Sequence, residues 1–300
     1  MSKQYYFSFL TFISLVILSS CEIINPAEKA PSYIRVDSLK VITDYGSQGS
    51  SSHNITDIWH YVNNEVLGAF RYPSTIPSLI TGNVELNTQA GIKLNGVTDT
   101  RVPYPFYEAH IERIELTPEK IINVYPIFTY ASFAEFAWIE DFESAGISLE
   151  KTLTSDTTIN EISAADEIFR NTQDLSEINR YSGLVHLVGP YRSFDIQTID
   201  KFNLPKNGNY VFLELDYKVT TETIVGLIAN YQNSISKKPI VVLNPTGNAW
   251  RKIYINLTLA VSREVNAQNF QIYFAAGRRE NSSEDKFYFD NIKLVHTKIQ

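Results

Sequence analysis

Short runs of alternating apolar and polar residues, separated by turn residues, recur through most of the 300-residue chain. Between residues 32 and 130 they cover residues 34–38, 58–62, 112–116 and 121–128. A period of two is that of a half-buried β-strand, whereas the apolar face of a helix repeats every 3.6 residues. Asn63-Asn64 lies between two such runs and predicts a tight hairpin, because asparagine tolerates positive φ. The pattern therefore predicts an all-β protein.

The length of the chain and the distribution of its strand-like runs predict two units, residues 32–132 and residues 136–300. The second unit contains strand-like runs at 136–143, 183–188, 210–219, 224–230, 240–243, 250–257, 270–275 and 286–295. Many short strands at this spacing predict a β-sandwich of the jelly-roll type. The polar stretch 162–179 is expected to form a long loop or to hold a short helix.

Four segments of the first unit carry a family resemblance. They are Trp59-His60-Tyr61-Val62-Asn63-Asn64, Leu67-Gly68, Pro73 with Ile76-Pro77, and residues 91–96. With these segments the unit resembles the small β-sandwich domains of secreted bacterial proteins, the PEGA-like and carboxypeptidase-regulatory-like domains. The resemblance implies a small N-terminal β-sandwich with a spacer or docking role.

The second unit resembles galactose-binding-like jelly rolls, which include many carbohydrate-binding modules. The resemblance rests on Asp141-Phe142-Glu143, on residues 250–257 and on Phe289-Asp290-Asn291-Ile292. It implies that the first and last strands lie side by side and that Glu143 and Asp290 help hold a structural Ca²⁺, an ion that takes six to eight oxygens. No other cofactor is expected. The alternative is that Glu143 is a solvated residue on an edge strand and that Asp290 begins a terminal turn.

Sugar binding in such modules uses aromatic rings as stacking platforms and polar side chains that hydrogen-bond to hydroxyls. The candidates at predicted loops are Tyr181, Tyr191, Arg192 and Tyr231. The alternative is structural, because a chain with 18 tyrosines must place many of them on half-buried strand faces. Trp138 and Trp250 begin predicted strands, and we expect both to belong to the core.

The N-terminus has the pattern of a cleavable signal. An apolar stretch over residues 5–18 is shorter than the roughly 20 residues of a spanning helix, and it ends before Ser19 and Ser20. This predicts a signal peptide over residues 1–20. Cys21, the only cysteine of the chain, follows at once, and residues 21–31 are expected to form a polar tether.

Leu18-Ser19-Ser20-Cys21 resembles a bacterial lipobox. The resemblance implies cleavage before Cys21 and acylation of its sulfur, and the alternative is an ordinary secretory signal with an incidental cysteine. The order of a lipid anchor, a tether and two β-domains is similar to that of Bacteroidetes-type lipoproteins. This resemblance implies a lipid-anchored protein of the outer membrane or cell surface. The periplasmic face stays open, because Ile23 and Ile24 dilute the acidic character of Glu22.

The sequence offers no recognisable catalytic set. The Glu-x-Asp-x-x-Glu arrangement of jelly-roll glucanases is missing, as is Gly-x-Ser-x-Gly. Glu140 and Glu143 stand an odd number of residues apart, so on a regular strand they face opposite sides. The formal net charge of −7 without a basic stripe argues against a nucleic-acid partner.

We therefore expect a non-catalytic binding or interaction protein whose partner is a glycan or an envelope protein. Two alternatives remain. One is a polysaccharide-active enzyme whose residues come together across loops of the jelly-roll unit, and the other is a purely structural envelope subunit.

Overall fold

A computed structural model describes residues 28–299, and the all-β prediction is confirmed. The first unit contains ten strands and one short helix: β1 (Ser32–Val36), β2 (Lys40–Ile42), α1 (Tyr45–Gln48), β3 (Asp57–Val62), β4 (Glu65–Arg71), β5 (Ser74–Ser78), β6 (Gly82–Lys93), β7 (Arg101–Pro103), β8 (His110–Leu116), β9 (Ile121–Asn123) and β10 (Ile127–Thr129). The predicted signal peptide, Cys21 and most of the tether lie outside the described residues.

The second unit contains the remaining strands and a second short helix. They are β11 (Ala134–Glu140), β12 (Leu149–Lys151), β13 (Asn160–Ile162), β14 (Ser182–Val188), β15 (Ser193–Thr198), β16 (Val211–Val219), β17 (Thr223–Asn230), β18 (Ile235–Leu243), β19 (Arg251–Asn256), α2 (Thr258–Arg263), β20 (Asn269–Gly277) and β21 (Glu284–Thr297). Within residues 28–299, neither helix has the length and apolar character needed to cross a membrane.

Two sheets form the sandwich of the second unit. One has the order β13-β14-β21-β16-β19, with β11 also paired to the long strand β21, and the other has the order β12-β15-β20-β17-β18. Apolar side chains from both sheets, such as Leu213, Leu227 and Phe274, form one core. The predicted jelly-roll sandwich is confirmed. The first and last strands of the unit, β11 and β21, pair antiparallel as the resemblance implied.

The first unit packs the sheet β5-β1-β9 against the sheet β4-β3-β6-β7, to which β8 adds through β6. Ile34 from the first of these sheets shares a core with Ile58 and Leu86 from the second, so the small N-terminal sandwich is confirmed. Asn63 and Asn64 have φ of 51° and 68° and connect β3 to its antiparallel neighbour β4. The predicted asparagine hairpin is therefore confirmed.

The two units share part of their interior. The core of the first unit includes Phe212, Tyr254 and Val295, which come from strands of the six-stranded sheet in the second unit. The chain between β13 and β14, called here the 163–181 loop, contains no helix and lies against the first unit through Glu177, which hydrogen-bonds to Ser50. The first unit and this loop together cover the outer face of β16 in the six-stranded sheet.

Candidate functional site

The outer face of the six-stranded sheet is polar and buried. Along β16, Leu213 and Leu215 enter the apolar core, whereas Glu214 and Asp216 point to the opposite face. Their exposed fractions are only 0% and 2%, because the first unit covers them. A strand that alternates in this way predicts one face in water, yet all nine residues of β16 are buried.

A hydrogen-bonded cluster compensates the burial of Glu214. Its Oε1 accepts hydrogen bonds from the hydroxyls of Tyr104 at 2.6 Å and Tyr130 at 2.8 Å. Lys252 Nζ lies 3.7 Å from the other carboxylate oxygen and 3.6 Å from Asp216 Oδ2. Burial, with the nearby Glu214 charge, raises the pKa of both tyrosines well above the ordinary value, so they remain protonated donors.

Lys293 extends this cluster across the boundary between the units. Its Nζ donates to the Ser50 carbonyl oxygen at 2.5 Å and to the Tyr130 hydroxyl at 3.4 Å. Burial lowers the pKa of Lys293 to about 8. Burial also raises the pKa of Asp216, although the Lys252 charge acts in the opposite direction. The cluster therefore links the first unit to the sheet by hydrogen bonds.

A cavity of 520 Å³ opens at the edge of this cluster, a volume within the range of ligand sites. Three parts of the chain form its walls: the first unit, the 163–181 loop, and the strands β16 and β19. The lining residues are Ser52, His53, Asn54, Lys93, Gly96, Phe169, Arg170, Asn171, Thr172, Gln173, Asp216, Tyr217, Trp250, Arg251, Lys252 and Ile253.

An aromatic wall closes one side of the cavity. The Trp250 ring makes edge-to-face contacts with Phe169, at 5.5 Å between ring centroids, and with Tyr288, at 6.1 Å. The expectation that Trp250 belongs to the core is wrong, because it is only half-buried, just before β19, and lines the cavity. Trp138 is buried in the core as expected.

Amide side chains held by internal hydrogen bonds form another wall. Gln173 exchanges two 2.9 Å hydrogen bonds with the backbone of His53. Asn54 donates to the Lys252 carbonyl at 3.0 Å, and Asn171 donates to Ser51 Oγ at 3.2 Å. Burial, followed by the charge of Lys252, lowers the pKa of His53 to about 4, so this ring is neutral at pH 7.

A second cavity of 470 Å³ adjoins the first one. It is lined by residues 39–43, Tyr45 and the 173–178 part of the loop, and it shares His53 and Gln173 with the first cavity. The hydrogen-bonded pair of His53 and Gln173 therefore separates the two cavities and lines both of them.

The structure does not bring together the residues predicted to bind sugar. Tyr181 precedes β14, whereas Tyr191 and Arg192 lie in the turn that follows this strand. Tyr231 follows β17 at the opposite end of the second sheet, and its hydroxyl donates to Glu264. None of the four lines the 520 Å³ cavity. Their role in ligand binding stays a prediction.

Glu143 and Asp290 both contact the segment 179–182. Asp290 Oδ2 accepts hydrogen bonds from Ser182 and, at 2.9 Å, from Asn179. Glu143 Oε1 accepts the backbone N–H groups of residues 180 and 181 at 2.6 and 2.9 Å. Asp290 lies inside β21 and not in a terminal turn, and burial raises its pKa well above the ordinary value.

These hydrogen bonds fit internally satisfied carboxyl groups better than ligands of Ca²⁺, which takes six to eight oxygens. Between residues 28 and 299 no group of three or more His, Cys, Asp or Glu side chains has an arrangement that would hold a metal ion. The calcium site remains a prediction from sequence, and nothing below depends on it.

Sequence reasoning did not identify the cavity. Its polar residues come from segments distant in sequence, such as Asn54, Gln173 and Arg251, and no motif links them. Two signals were present. Polar residues in the stretch 162–179 and charges at alternate positions of residues 214–218 both mark a polar face that another part of the chain covers.

Comparisons with known proteins give only remote likenesses. No protein-family model matches the chain, and no curated protein matches it. Among solved structures, a xylan-binding domain of carbohydrate-binding module family 22 has 13% identity and a TM-score of 0.36, over 55% of this chain and 97% of that domain.

Two further structures are similar at the same level. A carbohydrate-binding module of the β-sandwich superfamily has 11% identity and a TM-score of 0.38, over 90% of this chain and 99% of its own. The enzymatically active domain of tailspike protein 4 from bacteriophage CBA120 has 13% identity and a TM-score of 0.37, and the match covers 50% of this chain and 19% of that chain. TM-scores below 0.5 establish no shared ligand or activity.

Proposed function

We propose that this protein binds a glycan, without catalysing a reaction, in the 520 Å³ cavity between its two units. We further propose that a lipid on Cys21 holds it at the outer membrane or cell surface. The observation that carries the binding proposal is the pairing, in one cavity, of the aromatic wall at Trp250 with the amides of Asn54 and Gln173.

The chemistry of a sugar ring explains this choice. The ring has an apolar C–H face, which packs on an aromatic side chain, and an edge of hydroxyl groups, each of which donates and accepts hydrogen bonds. Amide side chains offer both donors and acceptors. Asn54 donates one N–H to the Lys252 carbonyl, which fixes the amide, and within residues 28–299 its second N–H and its oxygen are available to a ligand. Such preorganised polar groups in a partly apolar cleft are typical of ligand sites.

The small number of carboxyl groups in the cavity favours glycan binding over glycan hydrolysis. A glycosidase uses two carboxyl groups on either side of the scissile bond. Asp216 is the only acidic residue that lines the cavity among residues 28–299. Its Oδ2 accepts hydrogen bonds from Ser52 at 2.5 Å and Asn291 at 3.2 Å, and it faces Lys252.

The test is a glycan-array screen of the purified full chain, followed by calorimetric titration of the best glycan. Trp250→Ala removes the aromatic wall and is expected to weaken binding by about tenfold or more. Tyr191→Ala removes an exposed aromatic ring outside the cavity and is the matched control, expected to change affinity less than about twofold. The opposite result would place the site at the 188–192 turn.

Two other readouts decide between the alternatives. Release of new reducing ends from the bound glycan would show an enzyme. Silence on the array together with co-purification of a stable envelope protein would favour a structural subunit. Mass spectrometry of the mature N-terminus tests the anchor, because an acylated Cys21 is expected and an unmodified chain in the cytosol would contradict it.

A further inference from the structure

The cavity has the opposite charge from the chain around it. The sequence carries 33 acidic and 26 basic residues, yet Lys93, Arg170, Arg251 and Lys252 line the cavity against the single carboxylate of Asp216. His53 adds no charge at pH 7, because its pKa is lowered to about 4. A cleft lined by one sign of charge concentrates its potential on a ligand of the other sign.

Among residues 28–299, only one of these four cations lies within 4 Å of a carboxylate oxygen. Lys252 lies within 4 Å of Glu214 and Asp216 and donates to Ser52 Oγ at 3.0 Å. Within the described residues, the hydrogen bonds of the Arg170 guanidinium go to the Ala165 carbonyl, at 3.4 Å. In the part of the chain that the structure describes, none of Lys93, Arg170 and Arg251 forms a salt bridge.

The three remaining cations stand on three different walls. Lys93 ends β6 in the first unit, Arg170 lies in the 163–181 loop, and Arg251 begins β19 in the second unit. Both arginines are exposed, and a guanidinium binds carboxylate and sulfate groups with two parallel hydrogen bonds. Charges on separate walls suit a ligand that carries several anionic groups along its length.

We propose that the ligand of this cavity is an anionic glycan, a chain bearing carboxylate or sulfate groups, which Lys93, Arg170 and Arg251 bind while Trp250 packs on a sugar ring. This inference rests on the proposed glycan-binding function and narrows it to one chemical class.

The test compares glycans that differ only in charge. The full chain is titrated with an oligogalacturonide hexamer and its fully methyl-esterified form, and with a carrageenan hexamer and its desulfated form. The charged member of at least one pair is expected to bind about tenfold tighter than its uncharged partner. The pair that shows the preference identifies carboxylate or sulfate as the anionic group. Added salt is expected to reduce the preference, because it screens exposed charges.

In the double variant Arg170→Gln/Arg251→Gln, the ratio of the affinities for the charged and the uncharged glycan is expected to fall by at least about fivefold. The reason is that two charge-assisted contacts are removed. Arg71→Gln changes an exposed arginine on β4 that does not line the cavity, and it is the matched control with no expected effect. The melting temperatures of all variants should agree, since these side chains are exposed.

Three outcomes would contradict the inference in distinguishable ways. Equal binding of charged and uncharged members, or binding of neutral array glycans alone, would overturn the anionic ligand and leave glycan binding standing. A charge preference unchanged in the double variant would overturn the assignment of Arg170 and Arg251. Absence of binding to every array glycan and every hexamer would overturn the proposed function and the inference together.

Discussion

The inner face of the six-stranded sheet packs on the second sheet through side chains such as Leu213 and Phe289, whereas its outer face meets the first unit through Glu214, Asp216 and Lys293. Along β16, the residues of both faces are buried. The inner face packs mainly through apolar side chains, and the outer face is held by ion pairs and by hydrogen bonds from tyrosines.

The two faces contribute differently to stability and to geometry. Burial of apolar surface stabilises the sandwich by about 25 cal/mol per Å², whatever the relative orientation of the side chains. Buried ion pairs add little net stability, because desolvation opposes the attraction, but they need one geometry. We therefore infer that the outer face fixes how the first unit sits on the second. That fixed arrangement creates the cavity at its edge.

The largest expected effect comes from the apolar face. Phe289→Ala removes a fully buried ring that contacts Phe274 at 4.9 Å between centroids. The free energy of unfolding should fall by about 3–5 kcal/mol, as for other large-to-small changes in a packed core. Urea denaturation measures it, and a loss below about 1 kcal/mol would show that this face is not a packed core.

On the outer face, Lys252→Met should cost about 3 kcal/mol, because it leaves two buried carboxylates without their nearest cation. The expected signature is coupling. Glu214→Gln should be less destabilising in the Lys252→Met background than in the unchanged protein, by about 1 kcal/mol or more. Additive losses in the double-mutant cycle would mean that the pair does not act as a unit.

His60 offers a smaller, pH-dependent test inside the first unit. It is fully buried, with Nδ1 3.1 Å from Thr88 Oγ1, and burial lowers its pKa to about 4. At pH 5 the unfolded chain binds a proton at this histidine and the folded chain does not, so its contribution to stability rises with pH between about 4 and 6.5.

The free energy of unfolding of the unchanged protein, relative to His60→Gln, should therefore rise by about 1–2 kcal/mol from pH 5 to pH 7. Subtraction of the variant is necessary, because the raised pKa values of Asp216 and Asp290 act in the opposite direction. A constant difference between the two proteins would contradict the neutral buried ring.

The smallest expected effect lies at the exposed hairpin, which belongs to neither face. Asn64→Gly keeps the positive φ of 68° without the side chain that disfavours it. The free energy of unfolding should change by less than about 1 kcal/mol, in the stabilising direction. A destabilisation above 1 kcal/mol would show that the Asn64 side chain makes a contact that the fold requires.

Local patterns predicted the strands well, because a period of two and turn residues act over a few neighbours. The hairpin at Asn63-Asn64 and most strands of the second unit are where the alternation placed them. The cavity was not predicted, because its walls come from residues as distant as Asn54 and Trp250. Trp250 was misassigned for the same reason. A tryptophan directly before a strand gives the same local sequence pattern whether its side chain enters the core or lines a cleft.

The most direct test of the central claim is hydrogen–deuterium exchange of the full chain with and without the tightest-binding glycan of the array. A site between the two units predicts slower exchange at residues 52–54 of the first unit and at residues 169–173 of the loop. Slower exchange confined to residues 188–193, with both cavity walls unchanged, would contradict the account.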